Sequence, residues 1–180
     1  MAGVPKMQEQ FFGRPPRMAG VPKMQDAIFG RPKENTLPTV KRSARVPYTT
    51  EQMFDLVNDI EQYPKFLHWC RGARIDLRQG TAVEATLDIG VLGFNQSFRT
   101  RNTLQRPERI GIDLVSGPFR RLRGEWRFAA APDRGSDISL MLTFEVTSSP
   151  FGLVFSRVFE ELAGSQMTAF VDRAKRIYGT

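Results

Sequence analysis

The sequence predicts an α+β fold: a curved antiparallel sheet wrapped around one long C-terminal helix. Three observations carry this reading. Six segments of period-two alternation follow one another between residues 73 and 146, separated by short turns rich in Gly and Pro. Residues 151–178 then carry an apolar stripe at helical spacing. Clean alternation leaves a sheet wet on one face, and no further strands remain to cover the other, so the cover is helical.

The elements follow in order. Residues 1–17 and 18–34 are a tandem repeat, with Met1 to Gln8 recurring as Met18 to Gln25. Each copy is too short and too rich in Pro and Gly to bury a face. Residues 1–37 are therefore expected to be a disordered tail, with the domain spanning 38–180; the alternative is an interaction arm using Phe11, Phe12, Ile28 and Phe29. Neither an apolar core of signal-peptide length nor the Ser-rich, acid-poor composition of a transit peptide is found there. Thr39 to Val46 reads as a strand with Val40, Ala44 and Val46 on one parity; Arg42 shares it, spoils the pattern and is expected near a sheet end. Thr49 or Thr50 caps a helix carrying Met53, Phe54, Leu56, Val57 and Ile60. Tyr63-Pro64 breaks it, and a short turn over Lys65 to Trp69 follows.

The strands come next: Ala73–Arg78, Thr81–Ile89, Phe94–Leu104, Arg109–Val115, Arg121–Ala130 and Asp137–Val146. The closing helix, Phe151 to Tyr178, runs about 40 Å at 1.5 Å per residue. Its stripe is Phe151, Phe155, Phe159, Ala163, Met167, Phe170, Ala174 and Ile177, with Gly152 and Gly164 as weak points where the helix can bend or pack closely. A sheet curved over one helix is hard to fill completely, so a cavity between them is expected.

Bulk properties bound the function. A chain of 180 residues fits one domain plus a tail. One Cys, Cys70, permits no internal disulfide, so a reducing cytoplasmic compartment is the simplest reading. One His and one Cys cannot build a structural zinc site. No apolar run is long enough to span a membrane. The net charge of +7 favours anionic partners: RNA, an anionic membrane surface or acidic proteins.

Residues 117–128 combine both themes. Leu122, Gly124, Trp126 and Phe128 share one face of a strand; Arg121, Arg123, Glu125 and Arg127 share the other. Gly weakens a strand, so Gly124 marks a bend or a close approach. The apolar set expected to line a lipid cavity is Phe66, Trp69, Leu87, Phe98, Leu114, Trp126, Phe144, Phe155, Phe159, Met167 and Phe170. For any one of them plain core is the simpler explanation, since the fold alone justifies burying it. The cationic set expected on the outer face is Lys41, Arg45, Arg99, Arg101, Arg121, Arg123 and Arg127. It reads either as a phosphate-binding face or as a solvated face paired with Glu84, Asp88 and Glu125. His68 and Cys70 lack the adjacent carboxylate that would orient a catalytic imidazole, so no catalytic residue is assigned. No Gly-rich loop followed by Lys and Ser/Thr offers a nucleotide phosphate site.

One resemblance covers Pro38 to Gly179. It rests on Met53-Phe54-Asp55-Leu56-Val57, Tyr63-Pro64, Phe66 and Trp69-Cys70; on Gly117-Pro118-Phe119, Leu122, Gly124 and Trp126-Arg127-Phe128; and on Met167, Phe170, Arg173-Ala174 and Tyr178-Gly179. In order and spacing these residues resemble the START-like helix-grip superfamily. Within it they resemble the coenzyme Q-binding START family, which includes bacterial ribosome-association toxin proteins. His68 stands where that family often has Pro. The resemblance implies a non-catalytic protein that needs no cofactor and holds a polyprenyl quinone, ubiquinone being expected, in support of respiration or quinone synthesis. The long helix or the Phe66 to Cys70 loop would act as a lid. It also implies an alternative: a toxin that binds the large ribosomal subunit through rRNA and inhibits translation initiation. A third reading, a polyketide cyclase of the same superfamily, needs polar groups inside the cavity, for which Arg42, Gln96 and Thr100 have inward parity. The expected location is the bacterial cytoplasm, peripheral to the inner membrane.

Overall fold

The computed structural model describes residues 37–91, 93–132, 134–146 and 150–179. The tandem repeat and its four aromatic or aliphatic arm residues lie outside the described residues, as do the side chains of Phe94 and Phe151. The elements are β1 (Thr39–Val46), α1 (Thr50–Asn58), a 3₁₀ helix (Ile60–Lys65), β2 (Cys70–Gln79), β3 (Ala82–Val91), β4 (Phe94–Gln105), β5 (Arg109–Ser116), β6 (Phe119–Ala130), β7 (Ser136–Val146) and α2 (Pro150–Tyr178). The strands form a single antiparallel sheet in the order β1-β7-β6-β5-β4-β3-β2. The expected curved sheet with a C-terminal helix is what the chain forms.

Local chemistry explains the helix ends. Thr49, not Thr50, caps α1. Its hydroxyl accepts from the Gln52 backbone N–H at 3.3 Å, and the Gln52 side chain accepts from the Thr49 N–H at 2.9 Å. This reciprocal pair satisfies two amides that have no partner inside the helix. A 3₁₀ helix over Ile60–Lys65, with Pro64 inside it, follows α1 and was not expected; the expected turn over Lys65–Trp69 comes next, closed by the Cys70 N–H donating to the Leu67 carbonyl at 2.9 Å. Tyr63 anchors the 3₁₀ helix, donating from its hydroxyl to the Val57 carbonyl at 2.6 Å.

β2 begins at Cys70, three residues before the expected start. Bulges between Cys70 and Gly72 and between Ile75 and Leu77 break its alternation and hide the strand from a period-two reading. The helical stripe of α2 also ends differently. Ile177 is 47% exposed. Tyr178 turns inward instead, packing on Tyr48 at 5.6 Å between ring centroids and donating to the Gln52 carbonyl at 3.0 Å.

Arg42 lies in the middle of edge strand β1, and its guanidinium folds over the sheet margin to donate to the Gly164 carbonyl at 3.2 Å. A Cβ on Gly164 would stand 2.8 Å from that guanidinium, so glycine gives the arginine room. Gly124 serves a closer approach: a Cβ there would lie 2.6 Å from Leu142 Cδ1 and 3.1 Å from the Met141 carbonyl oxygen.

The core sits between the concave face of the sheet and the helices. Its aromatic rings form two clusters. Phe119, Phe144 and Phe155 surround Phe159 near the start of α2, with ring centroids 4.7–6.1 Å from it. Tyr63, Phe66 and Trp126 surround Phe170 near its end, at 5.1–5.3 Å. Most of these pairs meet edge to face, the geometry that ring quadrupoles prefer.

Candidate functional site: an apolar cavity between sheet and helix

The backbone of α2 comes closest to β1 and β7, at one margin of the sheet, while its Phe159 and Phe170 rings reach across to Phe98 on β4 and Trp126 on β6. β3, β4 and β5 form the other side, and their lining residues mix large apolar side chains (Leu87, Phe98, Ile112) with small or polar ones (Ala85, Thr100, Asn102). Ala85 on β3 faces Thr100 on β4, and Asn102 stands two residues further along the same face. On the helix side the facing residue is Ala163, 3% exposed. Short side chains on both walls leave volume that the Phe clusters fill elsewhere.

The resulting cavity encloses about 650 Å³ of atom-free space, counted to its opening. The region in which the centre of a water-sized sphere can move is about 60 Å³. On that measure a water needs about 10–15 Å³ and a benzene ring a cavity of about 150 Å³, so the free space holds a few waters and a ring enters only if the walls part. A long isoprenoid chain requires α2 to shift or must run out through the mouth.

Five of the residues expected to line a cavity do so: Trp69, Leu87, Phe98, Trp126 and Phe159. Phe66, Leu114, Phe144, Phe155, Met167 and Phe170 lie outside the lining. Phe144, Phe155 and Phe170 are at most 1% exposed and are consumed by the aromatic clusters. Phe66 packs against Phe170 and is covered on its other side by the Arg173 guanidinium, 5.6 Å from the ring centre. Leu114 is only half-buried near the end of β5. The aliphatic remainder of the wall includes Ile60, Ile112, Leu122, Leu140, Leu142 and Leu162.

The polar residues of the wall are Thr100, Asn102, Gln166 and Tyr63, together with Trp69, whose indole carries one N–H. Of the inward polar residues named from sequence, Thr100 is there, while Arg42 and Gln96 are not. Asn102 was missed because β4 was read through its apolar residues. The signal was available: Thr100 and Asn102 are successive inward positions, and both are polar. Among the described residues the sole titratable lining group is Tyr63, whose phenol burial pushes far above its ordinary range. The Cys70 thiol is buried, donates to the Gly72 carbonyl at 3.3 Å, and is pushed up to about 11 by that burial. His68 is exposed. Neither is arranged as a nucleophile with its base. Among the described residues no cluster of His, Cys, Asp and Glu could hold a metal ion.

The outer face is charge-compensated. Arg99 binds Glu84 at 2.6 Å and Asp76 at 3.5 Å, and Arg101 binds Glu84 at 2.6 Å. Arg45 binds Asp137 at 2.7 Å, Arg123 binds Asp113 at 3.0 Å, and Arg121 approaches Glu145 at 3.7 Å. Arg127 and Arg109 share Glu125. Lys41 has no carboxylate partner among the described residues. Asp88, expected to pair across strands, accepts from the Ser97 hydroxyl at 2.5 Å and lies 3.9 Å from Arg74. Glu84 points outward, yet it is 7% exposed beneath its two arginines. Part of the positive charge lies outside this face: residues 1–36 carry Lys6, Arg14, Arg17, Lys23, Arg31 and Lys33 against Glu9, Asp26 and Glu34.

Comparison with known proteins agrees with this architecture. The model of the family described as polyketide cyclase / dehydrase and lipid transport matches residues 46–171. A ribosome association toxin, RatA, of Escherichia coli is 41% identical over 145 residues, covering 81% of this chain and 92% of the relative. The mitochondrial coenzyme Q-binding protein of Schizosaccharomyces pombe is 22% identical over 147 residues, covering 77% and 88%. Among solved structures, an 18 kDa protein of Caulobacter crescentus superposes with a TM-score of 0.64 at 28% identity, covering 80% of this chain and 100% of that one. The Zhui aromatase/cyclase of a Streptomyces superposes with a TM-score of 0.69 at 15% identity, covering 78% and 94%, and shares the fold. The chain therefore belongs to the START-like polyketide cyclase / dehydrase and lipid transport family.

Proposed function

We propose that this protein is a non-catalytic carrier of a hydrophobic ring ligand, a polyprenyl quinone such as ubiquinone, held between the sheet and α2. The observation that carries the proposal is the cavity itself: apolar walls, an opening to solvent, and no acid or base lining it that is poised to move a proton near neutral pH. Two relatives support a binding role, one named a coenzyme Q-binding protein and the other a ribosome association toxin. No cofactor is needed for such a role. Among the described residues no helix is long and apolar enough to cross a membrane, so ligand exchange with a bilayer would occur at its surface. Native mass spectrometry with organic extraction of the protein, purified from a quinone-producing bacterium, tests the proposal. Near-stoichiometric quinone is expected. An empty protein that also fails to take up added ubiquinone would refute it.

A second reading is association with the large ribosomal subunit. Its support is the 41% identity to the toxin and the net charge of +7. The ion pairs of the outer face weigh against that face as the phosphate contact, since most of its arginines are already engaged. Co-sedimentation with ribosomal subunits across a salt series tests this reading. Binding through phosphates falls steeply with salt, whereas unchanged sedimentation would contradict an RNA contact.

A further inference from the structure

Two polar groups in the cavity wall have no partner. Trp69 is 6% exposed and Asn102 is 8% exposed. The indole Nε1 of Trp69 and the Oδ1 of Asn102 are both buried without a hydrogen-bond partner. Both residues line the same cavity, on opposite sides of β3: Trp69 leads into β2, and Asn102 stands on β4. Burying such groups unpaired is costly, and proteins seldom retain them without a reason. An apolar side chain would fill either position without that cost.

We infer that Trp69 and Asn102 are the polar anchors for a ligand ring that carries oxygen atoms, and so fix which end of the ligand enters the cavity. This rests on the carrier reading above and specifies it. The indole N–H can only donate, so the ring must present an acceptor oxygen there. The Asn102 amide has both a donor and an acceptor end and can turn, so it accepts a second oxygen as either carbonyl or hydroxyl. A quinone and its quinol both satisfy this pair; a plain hydrocarbon ring or tail satisfies neither. The free volume is about 60 Å³, so the walls must part to admit the ring, and a long chain has no room beside it. The ring therefore sits inside and the isoprenoid tail leaves through the mouth.

Isothermal titration of the full chain with decylubiquinone and with decylbenzene tests this. The proteins are the parent, Trp69→Phe and Asn102→Leu. The parent is expected to bind decylubiquinone well over tenfold more tightly than decylbenzene. Each variant should lose about tenfold for decylubiquinone, the worth of one hydrogen bond in a dry site, and should keep its affinity for decylbenzene. Asn102→Leu should also melt no lower than the parent without ligand, because it removes an unpaired buried oxygen. A parent that binds decylubiquinone no better than decylbenzene overturns the inference, as do variants that bind decylubiquinone as the parent does. A parent that binds neither compound overturns the carrier reading together with it.

Discussion

Ala163→Leu should close the cavity without undoing the fold. Ala163 lies on α2 and lines the same void as Ala85 and Thr100, so the added carbons enter existing space. Three extra carbon groups, if all are buried, contribute about 2.4 kcal/mol at ~0.8 kcal/mol each. Imperfect fit costs about 1–3 kcal/mol. The two nearly cancel, so the stability of the ligand-free protein should stay within about 2 kcal/mol of the parent. The ligand effect should not survive. A ligand at 100 times its dissociation constant adds about 2.7 kcal/mol, or roughly 5–10 °C in Tm for a domain of this size. Differential scanning fluorimetry with and without a short-tailed ubiquinone reads both quantities. The parent should show the shift and Ala163→Leu should show none. An equal shift in the two proteins would mean that the ligand binds elsewhere, and the cavity would lose its assigned role.

Further perturbations probe the frame around the cavity. Phe170→Ala should cost about 3–5 kcal/mol in chemical denaturation, because the ring is fully buried and touches Tyr63, Phe66 and Trp126; a loss under 1 kcal/mol would contradict that packing. Gly117→Ala should destabilise by about 1–3 kcal/mol, since Gly117 has φ +147° and a Cβ there would stand 2.6 Å from Phe98 Cβ. Gly164→Ala should be near neutral or stabilising in the same assay, because only the tip of Arg42 must move and alanine favours the helix. Acid unfolding should begin below about pH 4, near the ordinary aspartate value. The Thr86 hydroxyl holds the Asp76 carboxyl below that value, and the Arg45 guanidinium does the same for Asp137. Their contribution is therefore complete above the unfolded value and is lost as pH falls through the lower folded one; a melting temperature unchanged from pH 7 to pH 3 would exclude it. Cys70 should resist alkylation by iodoacetamide at pH 8 until the protein unfolds, because burial holds the thiol protonated up to about 11; rapid labelling of the native protein would show that the thiol is accessible.

Much of this architecture was legible in the sequence for a simple reason. Alternation along β3, β6 and β7 is strict, so the inward sets Val83-Ala85-Leu87-Ile89 and Leu122-Gly124-Trp126-Phe128 could be read off directly. Legibility failed where the backbone departs from its period. The bulges of β2 hid its first three residues, and Tyr178 took the inward place that spacing assigned to Ile177. The cavity was harder to read. Its existence depends on the backbone of α2 coming closest to β1 and β7, a lateral offset that no single helix pattern records. The same offset sorts the apolar residues. Phe144, Phe155 and Phe170 sit where helix and sheet touch and become core, whereas Leu87, Phe98 and Trp126 face the gap. The outer arginines show a similar limit. Parity placed them on one face, yet only the cross-strand register reveals that Glu84 stands opposite Arg101 and diagonal to Arg99.

The most direct test of the central claim is a ¹⁵N NMR titration of the full chain with a short-tailed ubiquinone. The chain has two tryptophans, Trp69 and Trp126, and both indoles face the cavity. The indole N–H resonance that disappears in Trp69→Phe belongs to Trp69. It is expected to move downfield and saturate at one ligand per protein, as an unpaired donor acquires an acceptor. If both indole resonances stay in place while the ligand is bound, the ring is not in this cavity and the account is wrong.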